Sequence, residues 1–273
     1  MKHAQGLFYI LFSVYIGVCA LAYFLQGYLL FPAHAVPSVS DAWKPTRGSS
    51  DIQSFIKGRC GNLHVVKWPV ANAKGTIMVF HGNGESIASV ETQVSQFHQL
   101  GFSVMAWDYP GYGRSQRCWF SQKDLLSDAK LAYQWLENQP QVGKIVLYGR
   151  SIGSGIALYV ASQYRLPVLL VSPYDALRNV AKQKMPFFIP VDFLIRYPLD
   201  VHPWVEKIQA PIYAIHGLDD RLILPERAAA LAKSSQGKVH ITWVAHAGHN
   251  DIILFEQSDS WLKQHLAKIV ETK

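Results

Sequence analysis

KIVLYGRSIGSGIALYVASQY, residues 144–164, changes its hydrophobic period in the middle. Residues 144–148 form a short apolar run of strand type. Residues 153–163 continue as an apolar helix. Between them stands Gly149-Arg150-Ser151-Ile152-Gly153. A serine on so sharp a strand-to-helix turn must adopt strained backbone angles, and glycine two residues to either side removes the Cβ atoms that would clash. Its hydroxyl then projects at the carboxyl edge of the strand, near the positive end of the following helix. Ser151 is therefore the candidate nucleophile. The bland alternative is a glycine-lined turn with an inert serine.

The pattern repeats outward from this turn. Residues 51–57 and 62–68 read as a β-hairpin around Gly58 and Gly61. TIMVFH (76–81) is a continuous apolar run, as expected of a strand buried on both faces. Residues 87–100 have helical spacing and stop at Gly101. Strands are expected at 102–107, 167–172, 211–216 and 238–244. Helices are expected at 122–138, from Pro225 and from Ile252. Leu125, Ala129, Ala132 and Leu136 share one helical stripe. Strands alternating with helices imply an α/β class, a mostly parallel sheet with helices on both faces.

A serine nucleophile needs a base and an orienting carboxylate. Two downstream segments offer them, each just after a strand: HGLDD (216–220) and AGHND (247–251). His249 and Asp220 are the preferred pair. His246 and Asp219 are rivals by adjacency, and Asp175 is a third candidate acid whose simpler role is a helix or turn cap. An oxyanion hole needs two backbone N–H groups where charge develops. Ile152 follows the nucleophile and should supply one. His81-Gly82-Asn83-Gly84 closes the TIMVFH strand, and the Asn83 N–H is the candidate for the other. His81 itself reads as a structural residue of that loop. DYPGYG (108–113) reads as a shaped turn, with Tyr109 or Tyr112 as candidate substrate contacts.

Composition narrows the class. Of 273 residues, 49% are hydrophobic and 16% charged, enough apolar content for a core and too little charge for a disordered chain. The net charge of +7 is spread over single basic residues, which fits a soluble basic surface or attraction to anionic lipids. No nucleic-acid-binding motif is present. Three cysteines, Cys19, Cys60 and Cys118, make neither a metal-site spacing nor a disulfide framework, and no metal or cofactor motif occurs.

Residues 7–31 carry no charge, and Gln26 is their only strongly polar side chain. At about 1.5 Å per residue the run can cross a bilayer core of roughly 30 Å. It exceeds a signal-peptide h-region of about 7–15 residues, although Ala33-His34-Ala35 resembles a cleavage site. Residues 1–31 are therefore read as a single-pass transmembrane anchor and 32–50 as a Pro/Ser/Gly-rich linker. Residues 51–273 are the catalytic domain. A short amino-terminal tail kept inside would put that domain on the non-cytoplasmic side.

HGNG (81–84), DYPGYGRS (108–115), GRSIGSG (149–155) and the HGLDD and AGHND pair together resemble the α/β-hydrolase superfamily over about residues 50–270. The chain is most similar to the bud-emergence (Bem-type) and α/β-hydrolase domain-containing branch. That branch includes membrane-anchored depalmitoylases and lysophospholipid lipases. The family's patterns fall on Asp220 and His249, in its Ser–Asp–His chain order. The bulky Gln116-Arg117-Cys118-Trp119-Phe120 departs from the small residues that relatives carry there.

The resemblance implies an ester or thioester hydrolase working without a cofactor on a small-molecule or lipid acyl ester. A peptidase or amidase, or a silent membrane-anchored interaction protein, are the alternatives. The usual strand order of the fold would bring the Cys60 turn near the Cys118 loop, so the pair could bond in an exported domain. It would also make residues 173–205 a cap over the serine. The cap's apolar heart is Met185-Pro-Phe-Phe-Ile-Pro-Val-Asp-Phe-Leu-Ile195. Phe187, Phe188 and Phe193 then either fill the cap's own core or line an acyl groove or membrane face.

Overall fold

A computed structural model describes residues 2–32 and 51–271. The expected linker falls almost wholly on 33–50, outside the described residues. The chain opens with helix α1 (Lys2–Leu30). The hairpin β1 (Ile52–Lys57) and β2 (Asn62–Trp68) follows, then β3 (Thr76–Phe80), α2 (Glu91–Gln99), β4 (Ser103–Trp107) and α3 (Gln122–Glu137). Next come β5 (Ile145–Arg150), α4 (Ile152–Tyr164) and β6 (Val168–Val171). Three helices, α5 (Leu177–Lys184), α6 (Val191–Leu194) and α7 (His202–Val205), precede β7 (Ile212–Gly217). The chain closes with α8 (Pro225–Ser234), β8 (Val239–Val244) and α9 (Glu256–Glu271).

The eight strands form one sheet in the order β1-β2-β4-β3-β5-β6-β7-β8. β2 runs antiparallel to both β1 and β4, and every pairing from β4 to β8 is parallel. Parallel neighbours need crossovers, and the crossover helices cover both faces, which is why β3, β4, β5 and β6 are buried along their whole length. One apolar layer gathers the stripe of α3 with α4 and α7; the other gathers α2 and α9. All carboxyl ends of the parallel strands open on one edge, the edge where such folds place their sites.

Two helices are shorter than the periodicity predicts. Residues 87–90 form a tight helical turn opened by a reciprocal Ser86–Ser89 cap, and α2 begins only at Glu91. The last helix likewise begins at Glu256, after a short turn at Ile252–Leu254. Cys60 and Cys118 are disulfide-bonded, with their Cα atoms 6.0 Å apart. The turn between β1 and β2 is thereby tied to the loop before α3.

The segment expected to form the cap consists of α5–α7, with Pro186 and Pro190 standing in the break between α5 and α6. Its phenylalanines do not fill a core. Phe187 is 99% and Phe193 88% exposed, and Phe188 is more than half exposed. Within α1, residues Gln5–Tyr28 are long and apolar enough to cross a membrane.

Candidate active site

Three strand ends build the site. β5 delivers Ser151, which sits at φ 52° and ψ −124°, a conformation that side chains seldom adopt. Its N–H donates to Val171 O on β6 (2.9 Å), and its carbonyl accepts from Ser154 N (2.9 Å) and Ser154 Oγ (2.6 Å). The flanking glycines are required by contact. A Cβ on Gly153 would lie 2.2 Å from Phe80 O, and one on Gly149 would lie 2.8 Å from Gly153 O. The local fold thus exists only with those two residues, and it leaves Ser151 7% exposed.

β7 ends at Gly217 and delivers Asp220; the loop after β8 delivers His249. His249 Nδ1 lies 2.7 Å from Asp220 Oδ2, and its Nε2 lies 2.9 Å from Ser151 Oγ. An ionised carboxylate can only accept, so the ring proton sits on Nδ1 and Nε2 accepts from the serine hydroxyl. Asp220 is 1% exposed, and its second oxygen accepts from Leu222 N and Ile223 N, both at 2.9 Å. Burial alone would raise its pKa. The hydrogen bond from His249, the Ile223 N–H and the nearby His249 and His216 rings outweigh burial and hold the carboxyl below its ordinary range.

The rival residues stand elsewhere. His246 is 91% exposed and pairs loosely with the exposed Asp219 at 3.9 Å. Asp175 is buried against Asn179 Nδ2 (2.7 Å) and Arg227 Nη1 (3.2 Å). His81 lies under Tyr109, ring centroids 3.9 Å apart, and burial depresses its pKa. Tyr109 donates to His81 O (2.7 Å), and Tyr112 donates to Asn83 Oδ1 (2.6 Å). Both tyrosines are wholly buried, so they shape the loop and are not open to substrate. Ile152 is the first residue of α4, where backbone N–H groups have no intrahelical acceptor. Asn83 is exposed on the facing loop.

One set of residues was not singled out in the sequence. Arg150, directly before the serine, forms an ion pair with Glu85 and donates to Asn250 Oδ1 (3.1 Å). The other Glu85 oxygen accepts from Gly82 N (2.7 Å). Arg150 thus brackets the loop of Asn83 on one side and the loop of His249 on the other. Its signal was a cation next to the serine at the end of a fully buried strand, since a buried charge implies a partner. Among the described residues no cluster of His, Cys, Asp or Glu could hold a metal ion.

A mostly parallel sheet flanked by helices, with a serine on a strained strand-to-helix turn, defines an α/β hydrolase. Residues 71–189 match the family described as serine aminopeptidase, S33. Human alpha/beta hydrolase domain-containing protein 17B is 31% identical over 210 residues, covering 72% of this chain and 68% of that one. The mouse 17C protein is 30% identical over 203 residues, covering 72% and 61%. Among solved structures, an esterase of Pyrococcus furiosus superposes with a TM-score of 0.67 at 21% identity, covering 86% of this chain and 99% of that one. Est1E of Butyrivibrio proteoclasticus, with ferulic acid bound, gives 0.66 at 15% identity, covering 80% and 99%. The chain belongs to the α/β-hydrolase family.

Proposed function

We propose that this hydrolase cleaves carboxylic esters or thioesters through a Ser151–His249–Asp220 triad. The observation that carries the reading is the continuous relay from Asp220 Oδ2 through His249 to Ser151 Oγ, at 2.7 and 2.9 Å. Ser151 Oγ attacks the acyl carbonyl while His249 Nε2 takes its proton. The N–H groups of Ile152 and Asn83 receive the oxyanion. As the tetrahedral adduct collapses, His249 returns the proton to the departing alcohol or thiol. Water then attacks the acyl-enzyme with His249 again as base, releasing the acid and restoring the serine. Asp220 fixes the imidazole tautomer and stabilises its charged form. These steps need no cofactor.

The domain, residues 51–273, is read as held at a membrane by residues 1–31, with 32–50 as a linker. The Cys60–Cys118 bond favours an oxidising compartment and so the non-cytoplasmic side. Hydrolysis of p-nitrophenyl esters of graded chain length, beside an aminoacyl p-nitroanilide series, tests the reaction class. Turnover of esters well above anilides supports the esterase reading. Preference for the aminoacyl anilides would support instead the peptidase reading suggested by the serine aminopeptidase match.

A further inference from the structure

We propose that residues 185–195 of the cap lie inside the same lipid leaflet as the carboxyl-terminal half of α1, so that two elements and not one hold the domain in the bilayer. The proposal rests on the reading of α1 as a membrane span.

The cap runs alongside the helix. Gln26 Nε2 donates to Leu194 O (2.5 Å), and its Oε1 accepts from Arg196 N (2.7 Å). Eleven residues earlier, Tyr15 OH donates to Phe188 O (2.9 Å). Those two attachments are about 16 Å apart along the helix axis, close to the depth of one leaflet. Ala22, between them, and Leu30, one turn beyond Gln26, line an apolar cavity together with Met185, Ile189 and Ile195 of the cap. A helix that spans the membrane while keeping these contacts carries the cap down with it.

The outward surface of the cap suits lipid. Phe187 and Phe193 are almost wholly exposed, the Phe187 ring lies 5.6 Å from that of Phe188, and Phe188 and Met185 are each about half exposed. Soluble surfaces rarely gather such a patch. Asp192 is the single charge in 185–195, and it is paired with Lys182 Nζ (2.7 Å) and Arg178 Nε (3.7 Å), as charges within a bilayer are. The boundary with water is marked as well. Arg196 lies over the rings of Tyr23, Trp119 and Tyr197, at 5.5, 5.2 and 5.8 Å, and Trp119 is exposed. Arginine and interfacial aromatics are the residues of the headgroup zone. From tip to domain the order is apolar cap, arginine–aromatic belt, polar protein.

The test uses the full chain in a Cys19→Ala background, with one cysteine introduced at Phe12, Phe187, Phe193 or Lys263 and labelled with bimane. Each protein is reconstituted in phosphatidylcholine vesicles with and without acyl-brominated phosphatidylcholine, and is titrated with aqueous iodide. Labels at 12, 187 and 193 should lose most of their emission to bromolipid and little to iodide, and the label at 263 the reverse. A lipid-quenched label at 12 with iodide-quenched labels at 187 and 193 would overturn the proposal while leaving the span intact. Iodide quenching at 12 as well would overturn the span and the proposal together. Labels at 187 and 193 shielded from both quenchers would mean that protein, such as a second copy, covers the cap, and would also overturn it.

Discussion

Arg150 Nη2 donates to Asn250 Oδ1 at 3.1 Å, so the residue before Ser151 is tied to the residue after His249. The same guanidinium pairs with Glu85, whose other oxygen holds Gly82 N. Two loops that arrive from distant parts of the sequence are therefore set against the serine by one side chain.

Arg150→Met should lower stability by about 3 kcal/mol, because it strands the partly buried Glu85 carboxylate. For a domain of this size that is a fall of roughly 10 °C in Tm. The double variant Arg150→Met/Glu85→Gln should recover part of that loss, since no charge is left unpaired. Asn250→Ala should keep the Tm nearly unchanged while lowering kcat for a short-chain ester. Thermal denaturation and ester kinetics on the four proteins check this; an Arg150→Met protein as stable as wild type would mean that the ion pair does not form.

The two adjacent aspartates separate role from position. Asp220→Asn keeps the volume but loses the charge facing His249 Nδ1, and should cost about 10⁴-fold in kcat, the loss seen when a triad carboxylate is amidated. Asp219→Asn, exposed and 3.9 Å from His246, should stay within about twofold, as expected of a surface pair. Steady-state hydrolysis of one activated ester by both variants is the check.

A third expectation concerns pH. Asp128 lies on the buried stripe of α3; Arg59 N donates to its Oδ1 (2.7 Å), and its Oδ2 has no partner. Burial, opposed by the Arg59 N–H, pushes its pKa from 3.8 to about 6. The folded chain therefore binds a proton that the unfolded chain releases, and the contribution of Asp128 to stability falls as pH rises from about 4 through about 6. Asp128→Asn removes that slope. Urea unfolding at pH 4 and pH 7 should show the stability of the variant, relative to wild type, shifting in its favour at the higher pH.

The strand–helix alternation was legible because each segment shows its own period, and the elbow was legible because the turn demands glycine: a Cβ at Gly153 would lie 2.2 Å from Phe80 O. The Ser–Asp–His spacing was legible because each residue follows a strand end. The Arg150 bracket was not, because its partners, Glu85 and Asn250, are 65 and 100 residues away and are set by loop geometry. Asp128 left a faint trace, three residues after Leu125 on the apolar face of α3. The course of α1 along the cap left none, since Tyr15 and Phe188 are 173 residues apart and one bond is to backbone. Exposure of Phe187 and Phe193 was equally hidden, because an apolar run gives no sign of whether protein or another phase will cover it.

Nucleophilicity of Ser151 is the point on which the reading of the site turns. Intact full-length protein treated with a fluorophosphonate probe should gain one adduct, carried on the peptide containing Ser151, with loss of ester hydrolysis in step. Ser151→Ala should fold with an unchanged circular dichroism spectrum, take up no probe and hydrolyse no ester. Labelling that persists in Ser151→Ala, or a wild type that hydrolyses esters while its Ser151 peptide stays unmodified, would contradict the serine mechanism.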